Sequence, residues 1–119
     1  MSKISKEEIS GWLMQLQNEI CIGLENLDSV EKFTEDKWER EGGGGGRSRV
    51  IQDGKIFEKG GVNFSAVYGD APAFLLNEKD HTENSSHSKP QFFATGISIV
   101  IHPQNPWVPI IHMNIRYFE

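Results

Sequence analysis

Three stretches of this sequence predict an α+β fold, an N-terminal helix packed on a mainly antiparallel sheet. The first is Ser5-Lys6-Glu7-Glu8, a capping box, followed by apolar residues at helical spacing. The second is Gln52-Asp53-Gly54 between two strand-like runs, and Asp-Gly in that setting is a strong hairpin signal. The third is the stretch 96–118, two alternating runs joined by a segment containing Pro103, Pro106 and Pro109. Those prolines cannot donate ladder hydrogen bonds, so they mark the connection between strands and not a strand interior.

The helix is expected from about residue 6 to about residue 24. Ile4 and Ile9 flank the capping box at staple positions, and Ile9, Trp12, Leu13, Leu16, Ile20 and Leu24 form one apolar stripe. Trp12 is read as a core anchor. Cys21 is read as a small buried hydrophobe, and a single cysteine excludes an internal disulfide. Residues 28–33 suggest a short second turn, with Phe33 and Trp38 supplying apolar contacts.

Five consecutive glycines occupy 42–46. They read either as a flexible linker or as backbone that must approach a neighbour closely or take positive φ. No Walker lysine follows and no strand is expected before them, which argues against a phosphate-binding loop. Too little chain precedes them for a separate domain, so a backbone-close loop leading into a strand is preferred. The runs 47–51 and 55–59 then flank the Asp-Gly turn, Gly60-Gly61 breaks the pattern, and 62–68 resumes it. Along this last run Val62, Phe64, Ala66 and Tyr68 share one face and Asn63, Ser65 and Val67 the other. Arg47 and Arg49 share a face and are either carboxylate grips or exposed arginines on an edge strand.

Residues 77–90 are polar and unpatterned, the composition of a surface loop. Asp80, His81 and His87 there are taken as non-functional. In the final hairpin Ile97, Ile99 and Ile101 share one face, with Ser98, Val100 and His102 opposite. Ile111, Met113 and Ile115 likewise oppose His112, Asn114, Arg116 and Phe118. Pairing His102 with His112 would bring Ser98 near Arg116. This polar face is either an ordinary solvated side of a sheet or a site. The absence of Lys, Glu, Asp, Thr and Gln, the usual surface fillers, favours a site.

The 119 residues make one domain or part of one. A balance of 12 basic to 17 acidic residues, net −5, argues against a general nucleic-acid binder. No apolar run approaches the roughly 20 residues needed to span a bilayer, and the N-terminus lacks a signal-peptide core. A cytoplasmic protein is expected. The alternating run continues to Tyr117-Phe118-Glu119 with no closing turn, as in a chain cut in mid-strand.

Two sets of motifs are similar to one family. Trp38-Glu39-Arg40-Glu41 with the glycine run, Arg47-Ser48-Arg49-Val50 and Phe57-Glu58-Lys59-Gly60-Gly61-Val62-Asn63-Phe64-Ser65 make the first. Gly96-Ile97-Ser98, His102-Pro103-Gln104-Asn105-Pro106-Trp107-Val108-Pro109 and His112-Met113-Asn114-Ile115-Arg116-Tyr117-Phe118 make the second. Together they resemble the N-terminal portion of the oxygen-dependent coproporphyrinogen III oxidases. The resemblance implies a large flat antiparallel sheet covered by helices on both sides, in a homodimer. Residues 1–119 would be the N-terminal part of one such domain, whose later half supplies further histidines, arginines and an aspartate. It implies oxidative decarboxylation of two propionates of coproporphyrinogen III to vinyls, giving protoporphyrinogen IX in haem synthesis. Molecular oxygen is the co-substrate and no organic cofactor is needed.

Position by position, the resemblance makes His112 the proton-transferring residue and Ser98, Asn114, Ile115 and Arg116 substrate-binding. Arg47 and Arg49 are further candidate carboxylate contacts, and His102 with His112 the positions for a divalent metal. The residue types suit a substrate bearing four carboxylates and an N–H or C–H proton to be removed. Two other readings compete: a non-catalytic tetrapyrrole-binding or partner-complementing module, and a small metal-binding domain built on His102 and His112. Structural zinc wants four ligands, so the last is thin.

Overall fold

A computed structural model of the chain describes residues 4–70 and 91–119. Asp80, His81 and His87 lie outside the described residues. Ser5, extended at φ −82° and ψ 159°, opens helix α1 (Lys6–Asp28), and its Oγ accepts from the Glu8 N–H at 3.1 Å. That bond satisfies one of the amides that a helix start leaves without a partner. Glu7 and Glu8 place negative charge in the first turn, where the helix dipole favours it.

The helix runs one turn past the expected stop near Leu24, and the reason is Asp28. Its carboxylate is fully buried. It accepts from the N–H groups of Val30, Glu31, Lys55, Ile56 and Phe57 at 2.9–3.3 Å. Burial would raise the carboxyl's pKa, but these backbone donors outweigh it and hold the group well below the ordinary carboxylate range. The turn expected over 28–33 is therefore an aspartate-centred helix exit, closed by Ser29 at φ 69° with its N–H on the Glu25 carbonyl.

Five strands follow: β1 (Thr34–Glu39), β2 (Gly44–Gln52), β3 (Phe57–Asp70), β4 (Gln91–Pro103) and β5 (Ile111–Phe118). They form one sheet in sequence order, every neighbouring pair antiparallel. The α+β expectation therefore holds. Strand β1 was not expected, because Thr34-Glu35-Asp36-Lys37-Trp38-Glu39 is exposed throughout and carries no apolar alternation. A strand thus precedes the glycine run after all, and Gly44, Gly45 and Gly46 are themselves members of β2. Gly44 takes φ +83°, and a Cβ there would collide with the Ala66 carbonyl of β3, which bears out the backbone-close reading.

Two further expectations need correction. Lys55 and Ile56 lie in the turn, not in a strand, because Gly54 N–H bonds the Phe57 carbonyl at 2.9 Å and Asp53 N–H the Glu58 carbonyl at 2.8 Å. Gly60-Gly61 does not break β3, which runs through them after a register irregularity between Phe57 and Lys59. A Cβ on Gly60 would stand 3.1 Å from side-chain atoms of both Ile51 and Ile101, so glycine here lets the core isoleucines close over the backbone.

The core lies between α1 and one face of the sheet. Leu13 and Cys21 descend on Ile51, Phe57, Val62, Phe64, Ile97, Ile99 and Ile101. Burial raises the Cys21 thiol pKa, as the inert reading requires. Trp12 is not the expected anchor, being 58% exposed. The line facing the sheet runs Leu13, Gln17, Cys21, and residue 12 falls to its side at 100° per residue. Helix α1 packs on β3 and β4 and does not cover β5. Ile111, Met113 and Ile115, on the helix side of β5, therefore remain 41% or more exposed.

Candidate functional site

The second face of the sheet has no helix over it among the described residues, and strand parity decides what it carries. Ile97 and Ile115 pair on the helix side. Their neighbours Ser98, Asn114 and Arg116 therefore point the other way, with Val100 and His112. The observed partners are Gly96 with Arg116, Ser98 with Asn114, and Val100 with His112. The expected pairing of His102 with His112 is off by two residues. Strand β5 starts at Ile111, opposite Ile101, so His102 passes the end of that pairing and lies opposite Lys59 of β3 instead. A shift of two preserves every face, whereas a shift of one would have reversed them. Ser98, His102, His112, Asn114 and Arg116 thus do share a face.

The same register adds residues from the first half of the chain. One row across the sheet reads Asp36, Ser48, Asn63, Ser98, Asn114, and the next reads Trp38, Gly46, Ser65, Gly96, Arg116. A shallow pocket of about 310 Å³ opens over these rows, lined by Trp38, Ser48, Asn63, Ser65, Ser98 and Arg116 among others. The ion pairs among the described residues are those of Glu35 with Arg47 and Arg49, and Arg116 takes part in neither. The pocket wall therefore offers the Arg116 guanidinium, the hydroxyls of Ser48, Ser65 and Ser98 and the Asn63 carboxamide, with the Asn114 carboxamide on the same face. That donor set suits carboxylates. The imidazole of His112 stands one row beyond, on the same face.

Arg47 and Arg49 are not brought to this face. Arg47 pairs with Phe64 and Arg49 with Val62, both core residues, so parity sends the two arginines to the helix side. Arg47 bonds Gln17 Oε1 at 2.7 Å, Asn18 Oδ1 at 2.9 Å and the Met14 carbonyl at 3.1 Å. Arg49 bonds Glu35 Oε1 at 2.8 and 3.0 Å, which pulls the Glu35 pKa down. Their guanidinium groups fasten α1 and β1 to the sheet. Ile115 also faces the helix side, away from Asn114 and Arg116.

For a metal, His102 and His112 share the face, but no group of three or more His, Cys, Asp or Glu comes together among the described residues. Two imidazoles do not complete a site of ordinary coordination number. Asn63, Ser65, Ser48 and Trp38 are the members of this face that sequence reading missed. The alternation did place Asn63 and Ser65 opposite Val62 and Phe64. What was missing was the register joining β3 to β4 across a long intervening segment. No helix among the described residues is long and apolar enough to cross a membrane.

A family model described as coproporphyrinogen III oxidase matches residues 8–119. The oxygen-dependent coproporphyrinogen-III oxidase of Prochlorococcus marinus strain NATL1A is 54% identical over 108 residues, 90% of this chain and 30% of that protein. Its counterpart in strain MIT 9515 is 50% identical over 116 residues, 97% of this chain and 32% of that protein. The counterpart in strain AS9601 is 49% identical over 118 residues, 98% of this chain and 33% of that protein. The chain thus spans about a third of the length of these relatives. With the match running across nearly all of its residues, this chain belongs to the coproporphyrinogen III oxidase family.

Proposed function

We propose that this chain contributes the Ser98–Arg116 portion of the substrate site of an oxygen-dependent coproporphyrinogen III oxidase. The observation that carries this is the grouping of Ser98, His112, Asn114 and Arg116 on one uncovered face beside a pocket. In the reaction each of two propionates becomes a vinyl group, releasing carbon dioxide, one proton and two electrons, and oxygen accepts the electrons. Arg116, with its planar two-pronged donor, clamps a propionate carboxylate, and Asn114 and Ser98 complete its hydrogen bonds. His112 takes the proton, since imidazole is the side chain suited to proton exchange near neutrality. Ile115, facing away, acts by holding β5 in register and not by touching substrate.

Residues 1–119 form, on this reading, the N-terminal part of a single domain in a cytoplasmic homodimer acting in haem synthesis. No organic cofactor takes part, and oxygen is the co-substrate. The second reading, a tetrapyrrole-binding module without turnover, uses the Ser98, Asn114 and Arg116 clamp and gives His112 no role in proton transfer.

Coproporphyrin fluorescence titration of the 119-residue chain tests the clamp. Arg116→Ala should weaken binding by roughly tenfold to a hundredfold, the effect of losing a charged hydrogen bond worth about 1.5–3 kcal/mol. Arg116→Lys should recover only part, because it keeps the charge and loses the fork. Equal affinity of the parent and Arg116→Ala would return this face to an ordinary solvated sheet surface. In a full-length protein carrying this segment, His112→Ala should lower turnover by about 10²–10⁴-fold with little change in binding. Binding without any turnover in that context would select the non-catalytic module.

A further inference from the structure

The glycine run is unexplained by the clamp, and its position on the sheet gives it a role. Gly46 stands opposite Trp38 on β1, Ser65 follows on β3, Gly96 on β4, and Arg116 closes the row on β5. A Cβ on Gly46 would fall into the Trp38 indole, so only a bare residue lets that ring lie down over β2. A Cβ on Gly96 would stand 3.4 Å from Cγ of Arg116 and 2.7 Å from the Ile115 carbonyl. Two glycines and a serine thus floor the row, an aromatic ring walls one end and a guanidinium the other. Both end residues line the same 310 Å³ pocket. Four inter-strand steps separate the Trp38 and Arg116 backbones, about 19 Å. The Trp38 indole lies over Gly46 of β2 and the Arg116 stem beside Gly96 of β4, so the two side chains face each other across Ser65 of β3.

We propose that Trp38 is a substrate-contacting residue of this site: a pyrrole ring of the bound tetrapyrrole packs against its indole while a carboxylate arm reaches Arg116 across the Gly46–Ser65–Gly96 floor. This rests on the tetrapyrrole reading above and adds to it the β1 end of the pocket. Offset ring-on-ring packing explains why an exposed tryptophan sits on a strand that is otherwise polar. It also gives a reason for glycine at position 46, where a side chain would lift the ring away.

The test is coproporphyrin titration of the 119-residue chain carrying Trp38→Leu, Trp38→Phe, Trp107→Leu and Arg116→Ala, with urea midpoints confirming that each variant is folded. Trp107, 92% exposed in the β4–β5 connection, lies outside the row and serves as the control tryptophan. Trp38→Leu should weaken binding about threefold to tenfold, and Trp38→Phe should restore at least half of that factor. Quenching of tryptophan emission by bound coproporphyrin should fall sharply in Trp38→Leu and stay near the parent value in Trp107→Leu. Parent affinity in Trp38→Leu, with Arg116→Ala weakened, would overturn the stacking role and leave the clamp standing. Failure of Trp38→Phe to restore affinity would also overturn it. No binding by the parent chain, or an unaffected Arg116→Ala, would overturn the tetrapyrrole reading itself.

Discussion

Ile97 and Ile115 face each other across β4 and β5 on the helix side of the sheet, yet Ile97 is 1% exposed and Ile115 41%. Replacing either with alanine removes three methyl-sized groups, about 0.8 kcal/mol each when fully buried, or about 2.4 kcal/mol of transfer free energy. At Ile97 the surrounding side chains cannot all collapse into the gap, and the cavity raises the cost to about 3–4 kcal/mol. At Ile115 roughly three-fifths of the transfer value applies and solvent fills the space, leaving about 1 kcal/mol. Urea unfolding followed by far-UV circular dichroism reads the difference. With a slope of about 1–3 kcal/mol per molar, Ile97→Ala should lower the midpoint by more than about 1 M and Ile115→Ala by about 0.5 M. Equal losses would refute the assignment of β5 as a strand whose helix-side face is uncovered.

Two other outcomes check the supports of the fold. Asp28 has a depressed carboxyl pKa, so its contribution to stability is fully present above about pH 4, the ordinary value, and is lost as pH falls below it. Thermal melting from pH 6 to pH 2.5 should therefore show a steeper acid loss in the parent than in Asp28→Asn, which should be less stable at neutral pH. Parallel profiles would deny the carboxylate its anchoring role. Gly44→Val should destabilise by at least about 1–3 kcal/mol from left-handed backbone strain, with overlap on the Ala66 carbonyl added. Gly11→Ala, in open space on the helix, should stabilise by up to about 1 kcal/mol. A tolerated Gly44→Val would restore the linker reading of the glycine run.

What was legible in the sequence was whatever a short window decides. The Ser5 cap is set within four residues, and the two faces of β4 and β5 follow from alternation alone. What was not legible depends on partners far away in the chain. Trp12 fits an apolar stripe by spacing, but which side of a helix meets the sheet is chosen by the best-packed line, here Leu13, Gln17 and Cys21. Gln17 belongs there although polar, because its amide donates to the Arg47 and Val62 carbonyls at 2.7 and 2.8 Å and its oxygen accepts from Arg47. Strand β1 has almost no hydrophobic signal because it lies at an edge with little to bury. Its place is set by its ladder with β2 and by the ion pair of Glu35 with Arg49. The pairing of His102 with His112 failed because a proline-bounded connection allows several lengths, and local sequence does not say where the second strand begins.

The three arginines singled out from sequence show how one variable sorts identical side chains into different roles. In an uninterrupted antiparallel meander, fixing one inward residue per strand fixes the parity of all the others. Phe64 and Val62 are inward, so Arg47 and Arg49 opposite them must also be inward, where Gln17, Asn18 and Glu35 occupy their donors. Ile115 is inward, so Arg116 is outward, on a side where no carboxylate among the described residues pairs with it. A guanidinium already committed to several hydrogen bonds gains little from a ligand and loses fold stability by turning to one. One held at a pocket wall without an ion-pair partner retains its full capacity for a carboxylate. The division between arginines that anchor the fold and one left without an ion-pair partner among the described residues therefore follows from register and burial, and it is why the proposed clamp is Arg116.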